Sequence, residues 1–417
     1  MGTVSRRTFF GMMTAGAALA AGAGVHSANS PEAGLRSLTK NAKPISADEH
    51  VARLAKLQSL MRERKVGAFL VESGTSLEYF TGIRWRRSER ITAAVVPATG
   101  GIIVVTPFFE EPSIRELLRV SAEVRPWQED ENPFDLIASA LRERAPEGPL
   151  AVEETTRFFI IDRMRKSFGA GRDVVSGEDL VRACRMIKSP AELALLQVAN
   201  NVTLAAIRHV HGQVEAGMQW PDILRLQVAA TEALGGTHEF TLVLLNEASA
   251  FPHGSEKPQV VGKGSVILID TGCSVHGYLS DISRTWVFGE PSARQREVWN
   301  TVKRGQEIAQ ETAKIGVPVG AIDKAVRAYY EGRGWSKNYR LPGTPHRTGH
   351  GIGMDVHEPP YLVRNDTTPL AAGMCFSDEP GIYIPGEFGV RMEDCWYMTE
   401  AGPKFFTPLA ASIDRPV

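Results

Sequence analysis

The chain has 417 residues, of which 43% are hydrophobic and 23% are charged, values typical of a folded, soluble protein rather than a disordered or collagen-like one. Its 47 Lys and Arg residues nearly balance its 48 Asp and Glu residues, which excludes a strongly basic nucleic-acid-binding protein. The 4 cysteines show no Cys-x-x-Cys spacing, which excludes a zinc ribbon, and they are too few for a disulfide framework.

The first 28 residues have the layout of an export signal. Residues 5–10 read Ser-Arg-Arg-Thr-Phe-Phe and precede an uncharged stretch rich in Gly, Ala and Met. The order resembles a twin-arginine signal, a class that exports proteins already folded. The apolar stretch is too short and too rich in small residues to span a bilayer stably. We therefore expect a periplasmic or extracellular protein without stable membrane insertion, whose net charge changes from -1 to -3 when both arginines are removed.

Residues 29–45 form a predicted linker, and residues 46–184 form a predicted α/β domain. Apolar residues recur at helical spacing between Val51 and Met61. Strand-like apolar runs and further helical patterns then alternate. The strand-like runs are 66–71, 93–96, 102–105 and 150–152, and the helical patterns are 114–120 and 134–141. This alternation is typical of a compact α/β domain.

The second predicted domain, residues 185–417, begins at a strong helix start. Ser189 is a good N-cap, Pro190 suits the first helical position, and Glu192 completes a capping box. A second helix begins near residue 220. Strand-like runs follow at 240–245, 266–269 and 282–288, helices begin near 292 and 322, and short strands lie at 374–377, 381–384, 389–392 and 395–398. Helices combined with an antiparallel, curved sheet predict an α+β fold.

Four segments of this domain place acidic and imidazole groups next to apolar strands. Asp270 closes one apolar strand and Asp281 opens the next, so that a hairpin would bring the two carboxylates face to face. His350 lies between two glycines, which permit close backbone approach and positive φ. Glu379 and Glu393 follow in the segments Ser-Asp-Glu-Pro-Gly and Arg-Met-Glu-Asp.

Together these side chains form a ligand set of four carboxylates and one imidazole. Mostly oxygen ligands with one nitrogen favour Mn²⁺, Co²⁺ or Zn²⁺. Five ligands exceed the needs of one tetrahedral zinc with an open position. They suit two ions about 3.5–4 Å apart, and metal explains how several buried acids can coexist. Each segment alone is more often a turn or a structural polar residue, so the prediction depends on their joint occurrence.

These segments closely resemble the pita-bread metallopeptidases, which include prolidase, aminopeptidase P and methionine aminopeptidase, with creatinase as a non-metal relative. The resemblance covers residues 46–417. Phe80-Thr81-Gly82 and the segment Arg185–Leu193 resemble the prolidase and aminopeptidase P branch rather than methionine aminopeptidase. The resemblance implies a pita-bread catalytic domain with a smaller N-terminal domain.

The resemblance also implies a role for each ligand. Asp270 would hold one ion, Asp281 and Glu393 would bridge both ions, and His350 with Glu379 would complete the second. A bridging hydroxide would attack the scissile carbonyl. Glu379 would in addition shuttle a proton to the leaving nitrogen.

Two histidines match positions of the family, and Arg391 is a third candidate for the substrate site. His253 and His357 would orient the substrate and stabilise the oxyanion; the alternative for each is a structural histidine. Arg391 is assigned to the substrate site, where it would bond a bridging carboxylate, and its alternative is a pair with a surface acid. The basic run at residues 84–90 lies either on a solvated face or close enough for an arginine to reach the catalytic pocket, of its own chain or of a partner subunit, and bind a substrate's C-terminal carboxylate.

We therefore expect a homodimeric two-metal exopeptidase, with Mn²⁺ favoured over Co²⁺ and Zn²⁺, that hydrolyses the Xaa-Pro bond of small proline-containing peptides and prefers dipeptides. Aminopeptidase P activity on longer peptides is the first alternative. A non-peptidase hydrolase or lyase on the same fold is the second, and a binding module without activity is the third. The complete ligand set argues against the last two, because such relatives depart at those positions.

Overall fold

The computed structural model describes residues 32, 34–145, 147–255 and 257–417. The signal peptide predicted for residues 1–28 lies outside them. The described part of the predicted linker contains no helix or strand. Its backbone nevertheless contacts the second half of the chain, since the Leu38 amide donates to the Leu234 carbonyl at 2.8 Å.

The first half of the described chain has the predicted α/β character. In chain order it contains α1 (Ala47–Glu63), β1 (Ala68–Glu72), α2 (Thr75–Thr81), β2 (Ala93–Pro97), β3 (Ile102–Pro107), α3 (Glu111–Leu117), β4 (Ala122–Trp127), α4 (Pro133–Arg144), β5 (Leu150–Val152), α5 (Phe158–Phe168), β6 (Val174–Ser176) and α6 (Glu178–Arg185). Its strands form one mixed sheet in the order β4-β3-β2-β1-β5-β6. Every residue of β1, β2 and β3 is buried, because helices cover both faces of the sheet centre.

The second half combines long helices with short antiparallel strands, which confirms the α+β prediction. In chain order it contains α7 (Pro190–His211), α8 (Trp220–Ala233), β7 (Thr237–Leu245), β8 (Val266–Val275), β9 (Tyr278–Leu279), β10 (Ile282–Val287), α9 (Ala293–Thr312), α10 (Gly320–Gly332), β11 (Gly349–Gly351), β12 (Glu358–Leu362), β13 (Cys375–Asp378), β14 (Gly381–Tyr383), β15 (Gly389–Arg391), β16 (Asp394–Thr399) and β17 (Gly402–Phe405). The capping boxes at Ser189 and Ser292 are both formed. No helix within the described ranges is both long enough and apolar enough to cross a bilayer.

The strands of the second half form adjoining antiparallel sheets. One sheet has the order β10-β8-β7, with β9 paired to β8, a second has the order β12-β11-β13-β16-β17, and β14 pairs with β15. A backbone bridge between Ser283 of β10 and Glu393 connects the first sheet to the chain just before β16. One apolar cluster joins α7 to β8, and a second joins α9 and α10 to β13, β15 and β16. The helices therefore support the sheets from one side.

Candidate metal centre

All five predicted ligands lie on neighbouring strands or directly beside them. Asp270 lies in the middle of β8, Asp281 directly precedes β10, and His350 is the central residue of β11. Glu379 directly follows β13, and Glu393 lies between β15 and β16. The pairs β8–β10 and β11–β13, together with the bridge from β10 to Glu393, gather these positions at one place in the fold.

The geometry of the first hairpin corrects one prediction and confirms another. The prediction that Asp270 closes its strand is wrong, because β8 continues to Val275. The later residues include threonine, cysteine and valine, which suit a buried strand, and they pair with β7 and β9. The hairpin itself is confirmed: β8 and β10 are antiparallel with Asp270 opposite Ser283, which places Asp281 diagonally across from Asp270.

The ligand atoms of the cluster lie close to one another. Asp281, His350 and Glu393 are buried, and each offers one ligand atom within 4.8 Å of the others. His350 Nε2 lies 3.5 Å from an Asp281 oxygen and 3.3 Å from Glu379 Oε1. Asp270 is near enough to Asp281 to be one of the causes of its shifted pKa. The structure therefore brings the whole predicted ligand set together.

Three acids of the cluster have raised pKa values, mainly because they are buried. Burial, followed by the neighbouring charge of Asp270, raises the pKa of Asp281 well above its ordinary value. Burial and then the charge of Asp281 do the same to the pKa of Glu393. Burial is also the main cause that raises the pKa of Glu379 to about 7, and His350 and Arg391 oppose it. Several buried carboxylates without enough positive charge are costly.

The donor set fits divalent ions. Asp270 Oδ1 and Asp281 Oδ1 are buried and have no hydrogen-bond partner within the described residues. Buried carboxylate oxygens normally find a donor or a cation, so two unpartnered ones in the same cluster indicate ligand atoms. Oxygen ligands with one imidazole match Mn²⁺, Co²⁺ or Zn²⁺. The set could also hold two ions.

The two glycines beside His350 leave room for the neighbouring backbone, and they do not adopt a positive φ. Gly349 and Gly351 lie in β11 and have no positive φ, so that part of the prediction is wrong. Strand pairing on both sides requires an extended backbone there. Close approach is confirmed, because a Cβ on Gly349 would lie 2.3 Å from the Ser377 carbonyl oxygen and one on Gly351 2.4 Å from that of Glu358.

Arg391 lies behind the ligands, with its side chain 5% exposed. Its guanidinium bonds the Asp270 carboxylate and donates to Tyr383 Oη at 2.9 Å and Ser283 Oγ at 3.0 Å. It also donates to the Pro252 carbonyl at 3.3 Å. Its direct hydrogen bond to a ligand goes to Asp270, and its Nε also lies 4.0 Å from a carboxylate oxygen of Glu393, one of the two predicted bridging acids. These contacts favour a role in holding Asp270 over the predicted contact with substrate.

His346 belongs to the site and was not predicted. Its Nε2 lies 2.8 Å from Tyr383 Oη, and its Nδ1 lies 3.8 Å from Glu379 Oε2. Burial, followed by the charge of Arg391, lowers its pKa to about 3. The imidazole is therefore neutral at physiological pH. The only signal in the sequence was its position four residues before His350.

The two predicted substrate histidines occupy exposed positions next to the cluster. The His357 ring lies edge-on to the His350 ring, with centroids 4.2 Å apart. Although His357 is exposed overall, partial burial is the main cause that lowers its pKa to about 4, and the neighbouring His350 is the second cause. His253 is exposed and follows Pro252, whose carbonyl is held by Arg391. His357 therefore adjoins the ligand His350, and His253 lies near enough to His357 to be among the causes of its lowered pKa.

A cavity of about 640 Å³ opens between the two domains beside His357. His357 and Tyr361 line it on one side, and Arg87 and Arg182 line it on the other. Arg87 belongs to the basic run at 84–90, so one arginine of that run lines the same cavity as His357 of its own chain. Its predicted contact with a substrate carboxylate remains a prediction.

Comparison with known proteins places this architecture in a family. Residues 194–400 match "Metallopeptidase family M24", and residues 53–187 match the "Creatinase/Prolidase N-terminal domain". The chain is 30% identical over 367 residues to "Probable dipeptidase PepE" of Mycobacterium tuberculosis, with 86% of this chain and 94% of the relative covered. It is 30% identical over 361 residues to "Xaa-Pro dipeptidase" of Lactobacillus helveticus, with 85% and 96% covered.

Solved structures agree. Dipeptidase PepE from Mycobacterium ulcerans matches with a TM-score of 0.79 at 30% identity, over 88% of this chain and 97% of that one. X-Pro aminopeptidase from Thermotoga maritima matches with a TM-score of 0.74 at 27% identity, over 86% and 98%. These neighbours confirm the pita-bread fold with a smaller N-terminal domain. The chain therefore belongs to metallopeptidase family M24 and is a prolidase-like metallopeptidase.

Proposed function

We propose that the protein is a metal-dependent exopeptidase that hydrolyses the Xaa-Pro bond of short peptides, with a preference for dipeptides. The observation that carries this proposal is the convergence of five ligand side chains, two of which leave buried carboxylate oxygens without a partner. The similarity to the Xaa-Pro dipeptidase of Lactobacillus helveticus supports the choice of substrate.

The ligand set would hold two divalent ions, with Mn²⁺ favoured over Co²⁺ and Zn²⁺. When bound, the ions would supply an activated water and a Lewis acid at the scissile carbonyl. Asp270, Asp281, His350, Glu379 and Glu393 would be the ligands, and Asp281 and Glu393 would be shared. Glu379 directly follows β13, with Oε1 3.3 Å from His350 Nε2. As a carboxylate of the ligand set, it would accept a proton from water and deliver it to the leaving nitrogen.

The histidines would handle the peptide itself. His357 adjoins the ligand His350, and His253 lies near His357. The depressed pKa of His357, which is caused mainly by burial, keeps its ring neutral, so it would donate a single hydrogen bond to the developing oxyanion. His253 would orient the peptide from the facing loop. Arg391 would hold the Asp270 carboxylate in place.

A direct test is metal analysis followed by hydrolysis of Ala-Pro and Ala-Pro-Ala after reconstitution with Mn²⁺. We expect two ions per chain and cleavage of Ala-Pro at a higher kcat/KM. Absence of bound metal together with no cleavage of either peptide would refute the proposal.

Xaa-Pro aminopeptidase activity is the second candidate. A cavity of about 640 Å³ is lined by His357 together with residues of the N-terminal domain, and on this proposal it would take residues beyond the proline. The similarity to the Thermotoga maritima X-Pro aminopeptidase is consistent with it. Cleavage of Ala-Pro-Ala with Ala-Pro left intact would establish this activity instead.

We also propose export by the twin-arginine route and assembly as a homodimer. The first rests on the Arg-Arg pair at residues 6–7, and the second is typical of the family. Replacing both arginines by lysine should retain the protein in the cytoplasm, as fractionation would show. Sedimentation of the mature chain should give twice the chain mass; a monomer at micromolar concentration would refute the dimer.

A further inference from the structure

A buried ion cluster lies beside His357 at the junction of the two domains. Its centre is Glu358, the next residue in the chain, whose side chain is 6% exposed. Lys188 Nζ lies 2.8 Å from one carboxylate oxygen of Glu358, and Arg185 Nη2 lies 2.5 Å from the other. The side chains of Lys188 and Arg185 are only 2% and 10% exposed. Three charges are thus held largely out of water.

The same carboxylate shapes the turn that carries His357. Glu358 Oε1 accepts the amide protons of Met354 at 2.9 Å and Asp355 at 3.0 Å. These bonds close the described segment between β11 and β12, which contains no helix or strand of its own. Gly353 leaves the necessary space, because a Cβ there would lie 2.8 Å from Glu358 Oε1. The backbone before His357 therefore depends on one buried acid.

The cluster also reaches the N-terminal domain through Asp355. Thr75, the first residue of α2, donates from Oγ1 to an Asp355 oxygen at 2.8 Å. Arg185 Nη2 lies 2.8 Å from the same oxygen, and its Nη1 lies 3.3 Å from Ser76 Oγ. Thr75 and His357 both line the cavity between the domains. Groups from both domains therefore set the position of the turn.

Stability alone does not require an ion cluster here, because apolar packing could stabilise the junction equally well. Replacing a buried ion group by apolar side chains of similar volume is often neutral or stabilising, because the desolvation of the charges is costly. The cluster is nevertheless complete: burial alone would raise the pKa of Glu358, but Arg185, Lys188 and the turn amides outweigh it and hold the pKa at about 2. Glu358 is ionised and fully engaged throughout the physiological pH range.

We propose that Glu358, held by Arg185 and Lys188, is a positioning residue that fixes the imidazole of His357 beside the metal ligands and couples the N-terminal domain to the substrate site. The effect on catalysis rests on the proposed function, in which His357 contacts the peptide. Glu358 itself faces the buried cations and touches no substrate.

The test is a double-mutant cycle on kcat/KM for Ala-Pro with Glu358→Gln and His357→Ala. Glutamine keeps the volume of the side chain but removes its charge, which leaves two buried cations under-neutralised. We expect Glu358→Gln to lower kcat/KM by roughly 10- to 30-fold in the unaltered chain, and by less than about threefold in the His357→Ala background. Equal losses in both backgrounds, or no loss in the first, would overturn the proposal.

A second measurement is independent of activity. Glu358→Gln should increase hydrogen exchange at the Met354 and Asp355 amides, because both donate to the carboxylate. Unchanged protection at both amides would overturn the proposal. If Glu358→Gln does not fold, Asp355→Asn replaces it in both measurements. The Asp355 side chain is 44% exposed, so this change is mild, and we expect the same coupling at about threefold.

Glu72→Gln is the matched control. Glu72 is a fully buried acid in β1 whose hydrogen bonds and ion pair, within the described residues, go to Arg157 and not to the turn that carries His357. We expect it to lower stability while leaving kcat/KM within about twofold, additively with His357→Ala. Coupling of Glu72 to His357 as strong as that of Glu358 would overturn the proposal. No cleavage of any Xaa-Pro peptide by the unaltered, metal-loaded protein would refute the proposed function alone, and the exchange measurement would then decide the positioning role.

Discussion

The ligand cluster and the ion cluster around Glu358 are both buried groups of charge, and they solve the same problem in opposite ways. Glu358 is enclosed by two cations and two amides of its own chain, which outweigh burial and hold its pKa at about 2. Asp281 and Glu393 are surrounded mainly by other acids, so burial and repulsion raise their pKa values. Burial is therefore common to both, and the neighbours decide the sign of the shift. The Glu358 cluster is complete as folded, whereas the ligand cluster needs cations from outside.

The largest expected effect comes from a change in the ligand cluster. Asp281→Asn removes a carboxylate that, on the proposed function, both ions share, and we expect kcat/KM for Ala-Pro to fall by roughly 1,000-fold or more. The same change removes one of several repelling charges, so the metal-free protein should become more stable by about 1 kcal/mol. Kinetics and urea unfolding of the metal-free chain would measure the two effects, with metal content determined alongside. Normal activity in this variant would contradict the ligand assignment.

For the Glu358 cluster we expect the opposite effect on stability: removing the charge should destabilise the protein. Lowering the pKa of Glu358 from its ordinary value of 4.5 to about 2 corresponds to roughly 3 kcal/mol of stability. Because the folded value is the lower one, this stability is present above pH 4.5 and is lost as the pH falls towards 2. Glu358→Gln should therefore cost about 3 kcal/mol at pH 7 in urea unfolding, and the difference from the unaltered chain should shrink below pH 4. A pH-independent difference would contradict the ionic origin of the effect.

Metal loading should carry a proton signature that the Glu358 cluster lacks. Burial raises the pKa of Glu379 to about 7 in the metal-free chain, and an ion must displace that proton. We expect the affinity for Mn²⁺ to rise at least about tenfold between pH 6 and pH 8, with proton release visible by calorimetry in buffers of different ionisation enthalpy. Glu379→Gln should reduce the proton release, and equal affinity at both pH values would contradict the prediction.

The comparison also shows what the sequence could reveal. The ligands lie in short motifs with local signals, so Asp270, His350 and their partners could be predicted together. The Glu358 cluster could not, because Arg185 and Glu358 are separated by 173 positions and each looks like an ordinary surface charge in the sequence. Such a pair becomes visible only when the fold excludes water from both side chains.

The same distinction holds for the fold. Strands β1, β2 and β3 are buried on both faces and gave continuous apolar runs. Strands β4 and β6 lie at the two edges of that sheet and are only partly buried, so their polar residues concealed them. Long helices with capping boxes were the easiest elements to predict, because the cap and the apolar periodicity are both local.

The smallest expected effect concerns a link between the ligands and the unpredicted His346. Tyr383 Oη receives a hydrogen bond from Arg391 at 2.9 Å and lies 2.8 Å from His346 Nε2. Tyr383→Phe removes only this hydroxyl, so Asp270 keeps its bond to Arg391 and the metal content should not change. We expect kcat/KM for Ala-Pro to fall by about three- to tenfold, comparable to the loss of one hydrogen bond. Phe376→Tyr is unsuitable as a reverse control, because that ring is buried in the core. Tyr397→Phe serves as the control instead, because this half-buried tyrosine packs against Phe406. It should leave kcat/KM unchanged. Loss of metal in Tyr383→Phe would show that the hydroxyl supports the ligand set itself. The ligand cluster would then depend on hydrogen bonds from its own chain, as the Glu358 cluster does, and the two clusters would differ less than their charges indicate.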